Sequence, residues 1–173
     1  MIARSLFLKE NKLRVFDLDD TLIKTDSYIY IKHSNGKKSK LTPGQYAKYT
    51  PKSGDELDFS DFHAINNPKP IKKYFDLLKK LAGHNETVYI LTARGSYPPI
   101  KQFINDSGLR NVYVVALGDS NPQKKADWIE QQIKLNKIDD VFFIDDSANN
   151  VAAVKDMLKR YPKVKSKVYR AME

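Results

Sequence analysis

Cysteine is absent from the 173 residues, which excludes a disulfide framework and thiolate metal chemistry. No apolar run approaches the roughly 18 residues that span a bilayer, so a membrane role is not expected. The opening MIARSLFLKENK carries one arginine and one short apolar patch. That patch is too brief for a secretory leader and lacks a small-residue cleavage site, so a cytoplasmic location is expected. His33, His63 and His84 are scattered without metal-ligand spacing, which argues against zinc. There is no G-x-G-x-x-G and no P-loop, so neither a nucleotide cofactor nor a kinase module is indicated.

Acidic residues are missing between Ser27 and Gly54, although the chain holds 21 of them. That stretch has six lysines (Lys32, Lys37, Lys38, Lys40, Lys48, Lys52) interleaved with Tyr28, Tyr30, Tyr46 and Tyr49. The formal net charge of +9 favours polyanionic partners. Cations beside aromatic rings can hold a nucleic-acid backbone while the rings stack on bases. A solvated, lysine-rich hairpin explains the same composition.

Apolar, β-branched runs alternate with helical patterns, as in a parallel sheet covered by helices. KLRVFDL reads as the first main strand, and residues 87–93, 111–119, 140–146 and 166–171 as four more. Their near-continuous hydrophobicity predicts burial on both faces. Helical periodicity fills the gaps. NPKPIKKYFDLLKKLAG opens on prolines suited to a first turn and stops at Gly83; YPPIKQFINDSG, KKADWIEQQIKLN and ANNVAAVKDMLKRY follow. The expectation is a Rossmann-like three-layer α/β/α sandwich around a parallel sheet of about five strands. Its length fits one domain, residues 1–173. About 45 residues separate the first strand from the next clear helix, far beyond an ordinary loop. Within this insertion, 22–66, SYIYIKHSNGKKSKLT predicts a β-hairpin flap with an Asn-Gly turn, TPGQYAKY a helical turn or two, and GDELDFSDFHAI an irregular return.

Ligands of open parallel sheets bind beyond the carboxyl ends of the strands. Asp17 and Asp19 lie at the first such end, Thr92 and Arg94 at the second, Asp119 at the third, and Asp145 with Asp146 at the fourth. Two acidic clusters meeting at one edge would make a hard-oxygen pocket suited to Mg²⁺.

Four segments in order, DLDDT (17–21), ILT ending at Thr92, a lysine opening a helix, and FFIDDS (142–147), resemble the motifs of haloacid dehalogenase superfamily phosphatases. The resemblance runs from about Lys12 to Tyr161. It implies that Asp17 is the nucleophile and forms an aspartyl-phosphate, and that Asp19 is the acid and base. It also implies that Thr92 donates to the phosphoryl group. Thr21 and Arg94 would contact substrate. Asp17, Asp145 and Asp146, with the backbone carbonyl of Asp19, would hold Mg²⁺. QKKADWI offers Lys124 and Lys125 for the third motif; Lys125 shares a helical face with Ile129 and Ile133 and is the choice, with Lys124 left near substrate. Ser147, Asn149 and Asn150 are read as capping the last helix, with support of Asp145 as their second reading. Asp20 is a bystander.

Members of the family the chain resembles that carry a large cap at this insertion close over small molecules, whereas those with only a flap leave a site open to macromolecular phosphates, so the resemblance implies an open site here. The analogue is the phosphatase half of polynucleotide kinase-phosphatases, with Lys37 and Lys38 on substrate and a nucleic-acid end as the phosphorylated partner. A nucleoside monophosphate or sugar phosphate is the alternative, and a catalytically silent nucleic-acid-binding module a more distant one. A monomer is expected.

Overall fold

The computed structural model describes residues 11–172; the first ten residues, which hold the short apolar patch, lie outside them. Strand β1 (Lys12–Phe16) is followed by β2 (Ile23–Lys24), β3 (Ile29–Lys32), β4 (Lys38–Leu41), helix α1 (Pro43–Tyr46) and β5 (Glu56–Asp58). A 3₁₀ turn (Ser60–His63) and β6 (Lys69–Pro70) lead into α2 (Lys72–Gly83). The remainder alternates: β7 (Val88–Thr92), α3 (Tyr97–Asp106), β8 (Val112–Ala116), α4 (Pro122–Asn136), β9 (Asp140–Asp145), α5 (Ala148–Leu158) and β10 (Lys165–Arg170).

The main sheet has the order β10-β9-β1-β7-β8, and every pairing in it is parallel. Side chains alternate between its faces, as strand geometry requires. Phe16, Val88, Ile90 and Ile144 pack toward Tyr74, Phe75 and Leu78 of α2 and Ile100 and Ile104 of α3. Leu13, Val15, Leu91, Val141 and Phe143 pack toward Ile129 and Ile133 of α4 and Val154 and Met157 of α5. The result is the three-layer sandwich. Each wholly buried aliphatic or aromatic side chain contributes about 1.5–3 kcal/mol by leaving water. Trp128 belongs to this packing, with its ring 5.2 Å from Tyr89.

Three expectations need correction. Burial on both faces holds for the central strands but not for the edges, where Tyr113 of β8 and Tyr169 of β10 are 55% and 49% exposed. Pro68 and Pro70 do not open α2, because Pro70 is already in β6 and the helix starts at Lys72. The return of the flap is not irregular: β5 pairs antiparallel with β3, and the order is β4-β3-β5. With only Leu57 apolar, β5 has too short a pattern to read from sequence. Acidic side chains help secure this return. Asp61 accepts from Tyr28 N–H and Tyr30 O–H, each at 3.0 Å, and Glu56 pairs with Lys32 at 3.5 Å.

The hairpin itself is present, β3 against β4, with Gly36 at φ +82° in the turn. A left-handed backbone there suits glycine. The flap leaves the sandwich through β2 and returns through β6, which pair antiparallel as a short stem. No helix among the described residues is long and apolar enough to cross a membrane.

Candidate active site

The chain turns sharply beyond β1. Leu18 C=O accepts from the N–H groups of Thr21, Leu22 and Ile23 at 3.4, 2.9 and 3.1 Å, and Asp20 takes φ +60°. Aspartate tolerates this left-handed conformation better than most residues. The reversal sends neighbouring carboxylates to different partners. Asp17, whose N–H is tied to Ile144 C=O at 2.9 Å, is 6% exposed and faces α4. Asp19 faces the loop after β7.

Lys125 reaches Asp17 from the first turns of α4. Its ammonium lies 2.6 Å from Asp17 Oδ1 and 2.7 Å from Asp145 Oδ2. The face shared by Lys125, Ile129 and Ile133 is buried, so the packing that seats the helix also delivers the cation. Lys124 is exposed and lines no part of the cleft, so the structure gives it no place near substrate. Asp145, wholly buried at the end of β9, also accepts from Ser147 N–H at 2.8 Å and Asn150 Nδ2 at 2.9 Å. Ser147 caps α5 through Asn150 N–H.

Oxygens of Asp17, Asp145 and Asp146 lie within 4.8 Å of one another. One ammonium faces three carboxylates, and the excess of negative charge perturbs them. Burial, then the charge of Asp145, pushes the Asp17 carboxyl well above its ordinary range, although Lys125 opposes the shift. Burial, again followed by Asp145, raises Asp146 to about 6. Burial alone would lower the pKa of Lys125, but Asp17 and Asp145 more than reverse this and keep it a cation. An all-oxygen donor set with unbalanced negative charge fits Mg²⁺, a hard dication that takes one or two carboxylates and retains water. Asp17, Asp145 and Asp146 would hold it.

Thr21, expected to contact substrate, does not line the cleft. It is wholly buried, bonded through Oγ1 to Asp17 Oδ2 at 3.1 Å and Asp146 Oδ1 at 3.4 Å, and it accepts from Asp146 N–H at 3.0 Å. It locks the loops after β1 and β9 together.

Arg94 lines the cleft, but its side chain is 1% exposed and engaged within the protein. Nε and Nη2 each donate to Asp19 at 2.8 Å in a two-pronged bridge. Nη1 donates to Ala64 C=O at 2.7 Å, and Nη2 also meets Thr25 Oγ1 at 3.2 Å. The Phe62 ring lies 4.8 Å from the guanidinium. One planar fork therefore ties Asp19 to both limbs of the flap, a task suited to guanidinium geometry.

Thr92 ends β7 within the same cleft, and its Oγ1 accepts the Arg94 N–H at 3.1 Å. The loops after β7 and β8 approach so closely that a Cβ on Gly95 would stand 3.3 Å from Gly118 Cα. This contact brings Asp119 to the rim.

The cleft, about 1000 Å³, gathers Asp17, Asp19, Thr92, Arg94, Lys125, Asp145 and Asp146. Lys37 and Lys38 are exposed on the far hairpin and do not line it. Sequence reading missed Phe59, Phe62 and His63, which do; their only signal was an aromatic cluster inside the insertion. His33 is bonded to Asp55 and Ser39 within the flap. Comparison with known protein families, curated proteins and solved structures returns no match.

Proposed function

We propose that the chain is a Mg²⁺-dependent phosphomonoester hydrolase of the haloacid dehalogenase type, acting through an aspartyl-phosphate on nucleotides or phosphorylated nucleic-acid ends. The observation that carries this reading is Lys125 held between Asp17 and Asp145, with Asp146 alongside, at the carboxyl edge of the sheet. A bound Mg²⁺ supplies positive charge for the phosphoryl oxygens and the nucleophile.

The remaining steps belong to the chain's own residues. An oxygen of Asp17 attacks phosphorus, the phosphorus–oxygen bond to the leaving group breaks, and its electron pair departs with that oxygen. Asp19 gives the oxygen a proton. Water then attacks the aspartyl-phosphate as Asp19 takes its proton, releasing phosphate and restoring Asp17. Lys125 offsets charge on the nucleophile and the phosphoryl group, and Thr92 donates its hydroxyl proton to a phosphoryl oxygen. Because Arg94 occupies both oxygens of Asp19, proton transfer requires one of them to turn from the guanidinium toward substrate. The same guanidinium anchors the flap, so flap position and Asp19 orientation are coupled.

Purified protein is expected to hydrolyse an aryl phosphate with Mg²⁺, to stop when EDTA removes the metal, and to resume when Mg²⁺ is restored. Phosphate release that is insensitive to EDTA, or absent with every divalent cation tried, would sink the reading.

A further inference from the structure

The cleft has two chemically different walls. One holds the carboxylates and Lys125; the other, supplied by the inserted segment, holds Tyr46, Tyr49, Phe59 and Phe62. At about 1000 Å³ the space is at the upper end of small-ligand clefts, roughly 300–1,000 Å³. That is far more than a phosphoryl group fills. The leaving group must occupy much of the rest.

Phe59 is 41% exposed, an uncommon state for a large apolar ring inside a cleft. Other rings support it. Tyr46 meets it edge to face at 5.4 Å and 84°, and Phe62 lies 6.5 Å behind, against Arg94. The Tyr49 hydroxyl is tied to Asp55, which holds that part of the wall. A partly uncovered aromatic pair lining the same cleft as Asp17 and Lys125 suits a planar leaving group, because a π-face stacks on any nucleobase.

We propose that Phe59 and Tyr46 form a stacking subsite for the base of the nucleoside whose phosphate lies at Asp17. This rests on the phosphatase reading above. A nucleoside is favoured over a tyrosyl ring by charge. Lys48, next in sequence to the cleft residues Ala47 and Tyr49, is exposed, as is Lys52, and no acidic residue occurs from Ser27 to Gly54. Those cations suit the further phosphates of a nucleic-acid end, which a tyrosyl ring lacks.

The test compares a nucleoside monophosphate with ribose phosphate, which has the sugar and phosphate but no base. In Phe59→Ala the ratio of kcat/KM for the nucleotide to that for ribose phosphate is expected to fall about 10-fold or more, the size of effect alanine produces at a base stack. Phe59→Trp, which keeps a stacking face, should recover it. An unchanged ratio, or wild-type preference for phosphotyrosine over nucleotides, would overturn the subsite. Equilibrium titration of the nucleotide, which needs no turnover, separates the two readings. If no phosphomonoester is hydrolysed, the phosphatase reading fails alone, and the subsite stands if Phe59→Ala weakens nucleotide binding about 10-fold and falls if affinity is unchanged.

Discussion

Replacing Asp17 by Asn should lower turnover of a phosphomonoester by a factor on the order of 10⁴ or more, while the unfolding midpoint holds or rises. The two halves of this result have one cause. Asparagine has the shape of aspartate but cannot attack phosphorus, so the first chemical step is lost. Yet burial and the neighbouring Asp145 push the Asp17 carboxyl well above its ordinary range, which means that folding disfavours its charged form. Removing that charge therefore relieves the folded state, the trade common at functional sites. Steady-state kinetics and thermal melts on the same preparation check both halves. Turnover within 10-fold of wild type would remove Asp17 from its assigned role, and a large fall in the midpoint would contradict the relief of buried charge.

Lys125→Met should cost about 3–5 kcal/mol of stability, the range for deleting one partner of a buried ion pair, and lower turnover by roughly 10²–10³. Methionine fills a similar volume, so the loss is electrostatic. It leaves Asp17 and the wholly buried Asp145 without the ammonium that now lies within 2.7 Å of both. Natural domains are stable by only about 5–15 kcal/mol, so this loss should be plain in a denaturant titration. Adding Asp17→Asn removes one of the stranded carboxylates and should return part of the lost stability. Residues in contact couple in this way, whereas independent sites add. Simple addition of the two single effects would contradict the shared-cation arrangement.

What could be read from sequence depended on how local the cause was. β7 and β9 are largely apolar and end in Thr92 and Asp145, and β1 carries Leu13, Val15 and Phe16 up to Asp17, so both the sheet and the candidate residues at its edge follow from pattern. Lys125 was separable from Lys124 because helical periodicity fixes which lysine turns inward. Arg94 was legible as a neighbour of Thr92 but not as the anchor of Asp19, because its partners Thr25, Phe62 and Ala64 are brought to it only by the folded flap. Thr21 was misassigned for a related reason. Its place in the motif says that it is near the chemistry, while the turn around Leu18 C=O decides that it faces Asp146. Composition exposed the lysines of the insertion, but it took the pairing of β5 with β3 to set the lysine-bearing hairpin apart from the aromatic residues that line the cleft.

The most direct test of the account is to quench the protein in acid during turnover with Mg²⁺ and a phosphomonoester, then locate any phosphoryl group by peptide mass spectrometry. With an aryl phosphate, whose leaving group departs without needing a proton, Asp19→Asn, which lacks the base for the second step, should accumulate the adduct. The expected result is one phosphoryl group on the peptide containing Asp17, removable by hydroxylamine as an acyl phosphate is. Turnover with no acyl phosphate, or with the phosphoryl group on any other residue, would contradict the account.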